Sequence, residues 1–286
     1  MKKSLLLVAL MMASFVMQAQ VRTPAASPAG SVTATVGLTD IKISYFRPSA
    51  KGRTIFSNNA TTLVPYGKIW RTGANGGTKI SFSEDVKVEG IAVPKGEYIL
   101  LSWPGEKEWT LALNKNVEMG GDMKKYDAAQ DVANFKVKPG KLANKIETLT
   151  FNVGDIAADN KSAKVELAWE NTSVKFTVAA DFDAAVIASI DATTKAEKVA
   201  PYDYFQAAVY YLETGRDLKQ ALAWVNKAAE GMNNPFWVLH QKAKIEKGLG
   251  DKKAALATAT ASLEAAKVAE NRDYQMMNET LIKSLK

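Results

Sequence analysis

The sequence has no cysteine and a single histidine in 286 residues. The first absence excludes disulfides, a thiolate nucleophile, iron–sulfur clusters and the usual structural zinc site. The second excludes every centre built on a pair of imidazoles. A serine triad would have to use His240, and no Gly-x-Ser-x-Gly precedes it. Acidic residues are missing from Ile41 to Ser83, a stretch that carries Lys42, Arg47, Lys51, Arg53, Lys68, Arg71 and Lys79. After the N-terminal segment no apolar run approaches the length of a membrane span. What is present is ordinary for a folded chain: 47% hydrophobic and 23% charged residues, with a formal net charge of +7.

The first twenty residues read as a secretory signal peptide. Met1-Lys2-Lys3 is a basic start, Leu5 to Val16 is an apolar run, and Gln18-Ala19-Gln20 is a polar exit with a small residue. Cleavage is expected near residues 19–20, which sends the mature chain to the periplasm, the cell surface or the medium. A lipoprotein anchor would need a cysteine.

Two periods divide the rest. A β domain is expected at 21–180, where from Ser31 to Ala180 the apolar pattern alternates, as in Ile41, Ile43 and Tyr45 against Lys42 and Ser44. Val165, Leu167 and Trp169 are followed by Val174, Phe176 and Val178, so 163–180 reads as a hairpin turning at Asn171-Thr172. Other strands are expected at 31–38, 77–83, 97–103, 108–114, 133–138 and 145–153. Many short strands and no convincing helix predict an antiparallel β-sandwich or barrel. From 181 to 286 alanine and leucine recur at helical spacing, and the segment repeats itself. Ala208, Gly215 and Ala221 match Ala243, Gly250 and Ala255, with a one-residue insertion at Arg216-Asp217. The Ala221–Ala255 offset of 34 is the tetratricopeptide period. Helices are expected near 202–214, 217–230, 236–248, 251–267 and 271–285. The repeat departs from its pattern where Lys242 and Glu246 replace Ala207 and Tyr211. The fold class is α+β, a sandwich followed by a tetratricopeptide-like tail.

The acid-free stretch is where a ligand is expected. At its centre, residues 65–78 combine turn-forming glycines with Tyr66, Lys68, Trp70, Arg71 and Asn75. Arginine presents a fork of donors to carboxylate, phosphate or sulfate, and aromatic faces stack on sugars. Arg47, Arg53, Tyr66, Lys68, Trp70, Arg71 and Asn75 are therefore the candidate ligand-binding residues, for an anionic or carbohydrate ligand. The competing account makes the loop structural, with Trp70 plugging the sandwich and Arg71 satisfying carbonyls. Trp103 and Trp109 flank Pro104-Gly105 and are either a sugar platform or core. No phosphate loop, dinucleotide fingerprint or calcium loop is complete, and the basic stretch lacks the lysine clustering of a nucleic-acid binder. No cofactor and no metal is expected, and His240 reads as a helix-packing residue.

Several runs carry a family resemblance. Val36-Gly37-Leu38-Thr39-Asp40-Ile41, Tyr45-Phe46-Arg47-Pro48, Lys51-Gly52-Arg53 and Val64-Pro65-Tyr66-Gly67-Lys68-Ile69-Trp70-Arg71-Thr72-Gly73-Ala74-Asn75 are the strongest. Ser27-Pro28, Val93-Pro94-Lys95-Gly96-Glu97-Tyr98, Glu108-Trp109-Thr110 and Leu113-Asn114-Lys115 extend them. Together they resemble the exported bacterial proteins grouped as domain of unknown function 2911. The resemblance implies a signal peptide, a helical tail and a source among the Bacteroidota, and it carries no established activity. The function expected is a non-catalytic binding protein. An envelope hydrolase acting on glycan or an anionic ester, and a scaffold that engages a protein partner through its helices, are the alternatives.

Overall fold

The computed structural model describes residues 23–286, so the expected signal peptide at 1–20 lies outside the described residues. The chain forms two compact units, the first ending at Phe182 and the second beginning at Asp183. The architecture is α+β. No helix among the described residues is long and apolar enough to cross a membrane.

The first unit contains a six-stranded antiparallel sheet in the order β1-β2-β5-β8-β9-β10 and a four-stranded one in the order β11-β12-β6-β7. Their strands are β1 (Ala29–Val36), β2 (Thr39–Phe46), β5 (Thr78–Phe82), β8 (Gly96–Trp103), β9 (Trp109–Asn114) and β10 (Asp131–Val137), with β6 (Val86–Val88), β7 (Ile91–Val93), β11 (Pro139–Gly154) and β12 (Ser162–Ala180) in the smaller sheet. A short parallel pair, β3 (Phe56–Ser57) and β4 (Val64–Pro65), folds within the acid-free stretch. Alternation builds one core from both sheets. Ile41, Ile43, Ile80, Leu100, Leu111 and Leu113 come from the larger sheet, and Phe151, Val165, Leu167, Trp169 and Phe176 from the smaller. Across that core Tyr45 meets Phe151 edge-on at 4.8 Å, and the Phe151 N–H donates to the Tyr45 hydroxyl.

Residues 163–180 are not a hairpin: they lie in the single strand β12, which pairs with β11 from Lys164 to Val174 and with β6 from Val178 to Ala180. Glu170 has φ 55 inside the strand, and the register with β11 slips on both sides of it. A bulge of this kind reverses which parity of residues faces the core. A two-residue turn between Trp169 and Val174 reverses parity in the same way, so alternation alone could not separate the two. The paired tryptophans are corrected as well. Trp103 stands opposite Thr110, so its neighbour Trp109 points to the other face. Trp109 is core, whereas Trp103 packs on Tyr126 at 5.4 Å, and no shared platform exists.

The second unit is six helices among the described residues: α1 (Asp183–Thr194), α2 (Pro201–Glu213), α3 (Leu218–Glu230), α4 (Phe236–Gly248), α5 (Lys252–Val268) and α6 (Arg272–Leu285). Ala208, Ala221, Ala243 and Ala255 are fully buried, which lets neighbouring helix backbones approach. Gly215 and Gly250 end α2 and α4 with φ 67 and φ 84, a left-handed conformation that glycine adopts without strain. Asp217, Asp251 and Asn271 then cap the next helices, each side chain accepting a backbone N–H of the first turn. The inserted residue is Arg216. It stands between Gly215 and its capping aspartate and pairs with Asp183 of α1 at 2.5 Å. Helix α1, which the repeat pattern did not predict, is held in part by that contact and by the Tyr210 hydroxyl, which donates to Asp183.

Candidate functional site

The acid-free stretch folds as two linked loops. Residues 47–65 leave β2, make the short β3–β4 pair and bury Ile55 and Val64. The Arg53 guanidinium stays within this loop, its Nε donating to the Ala50 carbonyl and Nη2 to Ser49 at 3.0 and 2.7 Å. Arg53 is thus a staple. Arg47 and Lys68 are exposed, and their side chains make no hydrogen bond or ion pair among the described residues.

Trp70 is the main correction to the expected site. It is 9% exposed and cannot offer a face to a sugar. Its ring stacks on Trp169 at 5.9 Å and meets Phe56 and Trp109 edge-on. The indole N–H donates to the Gly73 carbonyl at 3.1 Å, which satisfies its one polar atom. Backbone hydrogen bonds of 2.8 and 3.0 Å tie Trp70 to Ser102 on β8. Tyr66 is half-buried. Burial, and secondarily the charge of Glu106, raise its pKa above the usual tyrosine value, so its hydroxyl remains protonated.

Immediately after Trp70 the chain turns in a strained loop. Thr72 is fully buried at φ 53, an unfavourable conformation for a β-branched residue. It is over-determined by hydrogen bonds. Its Oγ1 lies 2.9 Å from the Ser102 hydroxyl, and its carbonyl accepts the Thr78 hydroxyl at 2.7 Å. Arg71 and Asn75 come together here, Nη1 of the arginine donating to the Asn75 carbonyl at 3.0 Å. Asn75 is exposed, with φ 51. The loop rests on a turn not singled out in the sequence, Gly120-Gly121. An added Cβ at Gly121 would lie 1.9 Å from the Asn75 oxygen and 2.7 Å from Arg71 Nη1. The adjacent glycines between Met119 and Asp122 were the available signal for that close approach.

The structure therefore brings Arg71 and Asn75 together, commits Arg53 and Trp70 to the fold, and leaves Arg47 and Lys68 projecting. The charge pattern persists in three dimensions. Of the seven cations from Lys42 to Lys79, among the described residues only Lys79 lies within ion-pair distance of a carboxylate, Glu97 at 2.9 Å. Glu147 approaches Lys51 but accepts its backbone N–H.

A second polar cluster lies in the helical unit. Asn278 is fully buried, and its amide nitrogen donates to the Ser262 hydroxyl and the Tyr274 carbonyl, each at 2.8 Å. Its Oδ1 therefore faces His240 Nδ1 at 2.8 Å as an acceptor, and Nδ1 carries the proton. Burial lowers the His240 pKa below the ordinary 6.5, against the hydrogen bond to Asn278, and Lys244 lowers it further. In the unfolded chain the ring takes its proton near 6.5, whereas in the folded chain it does so only at lower pH. This contribution to stability is complete above pH 6.5 and is lost as the pH falls from there through the folded pKa. The urea midpoint of wild type should fall, relative to that of His240→Gln, between about pH 7.5 and about pH 5.5. A constant difference would contradict the depressed pKa.

The family model described as "Protein of unknown function (DUF2911)" matches residues 27–178, more than half of the chain. The chain belongs to that family. No curated protein and no solved structure matches it.

Proposed function

We propose that this family member is an exported, non-catalytic binding protein whose first unit recruits an anionic ligand. The Lys2-Lys3 start and the Leu5–Val16 run support export to the periplasm or cell surface. On this reading the two sheets around their common core are a sandwich scaffold. The α2–α3 and α4–α5 pairs are tetratricopeptide-like units, supported by their matching left-handed glycines and aspartate caps. A carbohydrate stacked on Trp70 forms no part of the proposal, because that ring is core.

The observation that carries the reading is that six of the seven cations of Ile41–Ser83 lie outside ion-pair distance of any carboxylate among the described residues. The helical unit carries 14 basic against 13 acidic residues, so most of the positive field of the mature chain originates in the first unit. Arg47 and Lys68, which project, and Arg71, in a loop held in a strained conformation by hydrogen bonds, are the residues proposed to meet the ligand.

Dextran sulfate serves as the probe. Lys68→Glu/Arg71→Glu should elute from a dextran sulfate column at clearly lower salt than wild type. Lys252→Glu/Lys253→Glu changes net charge equally on exposed sites of the helical unit and should shift elution much less. Equal shifts would show that net charge alone is read, and would end the localised proposal.

A further inference from the structure

We propose that the helical unit carries a binding groove for an amphiphilic anion, an acyl chain ending in a carboxylate. The groove is a shallow, open one of roughly 840 Å³ between α2, α4 and α6, a volume suited to a small organic ligand. It is independent of the charged loop of the first unit.

Its walls divide by chemistry. Leu212, Met276, Met277 and Leu281 supply apolar surface. Met276 and Met277 are 58% and 41% exposed, adjacent and unbranched, and methionine adapts its shape to what lies on it. Lys244 and Lys247 supply the charge, and the lining contains no carboxylate. The one buried carboxylate of α4, Glu246, lies 3.9 Å from Lys242 and is not among the lining residues. Lys247 reaches across to α6, its ammonium donating to the Ser284 hydroxyl at 2.8 Å. That contact fixes a positive charge beside the apolar wall without neutralising it. A unit that carries 14 basic and 13 acidic residues has thus placed only cations among the charged side chains along this groove.

The occupant follows from that pairing. From Met276 to Ser284, α6 advances about 12 Å at 1.5 Å per residue, the span of a medium-length acyl chain. An extended peptide would bring an N–H and a C=O with every residue, and those turned toward the apolar wall would be left unpaired. An acyl chain has neither, and its carboxylate finds Lys244 and Lys247.

Isothermal titration of the full-length protein with dodecanoate, dodecanol and acetate tests the proposal. Saturable binding of dodecanoate is expected, with dodecanol and acetate at least about tenfold weaker, because each lacks one half of the recognition. Lys244→Ala/Lys247→Ala should weaken dodecanoate about tenfold, within the range of two partly exposed ion pairs. Met277→Asp should abolish it, and Lys252→Glu/Lys253→Glu, at exposed sites of α5 outside the lining, should leave it nearly unchanged. Dodecanol binding as tightly as dodecanoate would overturn the proposal, as would indifference to the lysine substitutions or the absence of saturation. Preference for an acidic amphipathic helical peptide over dodecanoate would also overturn it, in favour of a peptide groove.

Discussion

Replacing Trp70 with alanine should destabilise the first unit by about 3–5 kcal/mol, the usual cost of removing a large aromatic side chain from a packed core. The ring lies among Phe56, Trp109 and Trp169, at 5.8, 6.4 and 5.9 Å. Removing it deprives three large side chains of a partner at once, and the Gly73 carbonyl loses its donor. Trp70→Phe keeps a ring in place but removes the N–H, so its loss should be smaller, about 1–3 kcal/mol. Arg71→Ala removes a partly exposed hydrogen bond to Asn75 and should cost under about 1 kcal/mol. Urea unfolding followed by near-ultraviolet circular dichroism separates the three. If Trp70→Ala proves no more costly than Arg71→Ala, the ring is not the plug drawn here, and a ligand-facing tryptophan returns to consideration.

The pair of neighbours Trp70 and Arg71 shows how far a sequence can be read. Its content, an aromatic and a guanidinium in a glycine-rich, acid-free loop, was visible at once. Which of the two was core depended on contacts made with residues as distant as Trp169. The helical unit was more transparent because its signals are local. Gly215 with Asp217 and Gly250 with Asp251 are start and stop signals only a few residues apart, and the observed helices begin and end within a residue of the expected positions. Helix α1 escaped because it lies outside the repeat, and one of its anchors is the inserted Arg216. In the first unit, alternation identified inward faces but could not tell a bulge from a turn, since both reverse parity at Glu170. The association of Tyr126, Asp131 and Asn114 was not legible for a related reason. Their cluster, with the Tyr126 and Asn114 side chains both donating to Asp131, forms only when residues 116–130 cover one face of β8 and β9. Burial and the Asp131 carboxylate push the Tyr126 pKa up to about 12, so that hydroxyl stays a donor.

Gly121→Ala is expected to cost about 3 kcal/mol, although it adds a single methyl group at a position without a left-handed φ. The reason is where that carbon would go. At 1.9 Å from the Asn75 carbonyl oxygen it meets backbone, which cannot swing aside as a flexible side chain would. Gly77 is tight against the same turn, with an added Cβ 3.0 Å from the Gly120 oxygen, so the two segments approach backbone to backbone. To admit the methyl group, either the 119–121 turn or the 71–77 loop must move. The loop is already strained at Thr72 and Asn75, and displacing Asn75 breaks its contact with Arg71. Retention on dextran sulfate should therefore fall along with stability, without any change in charge. Gly90→Ala is the comparison. Nothing lies within 4 Å of an added Cβ there, and its φ of +83 imposes only a conformational cost of about 1 kcal/mol. Gly121→Ala costing no more than Gly90→Ala, with retention intact, would mean that the Gly120-Gly121 turn does not set the position of Arg71.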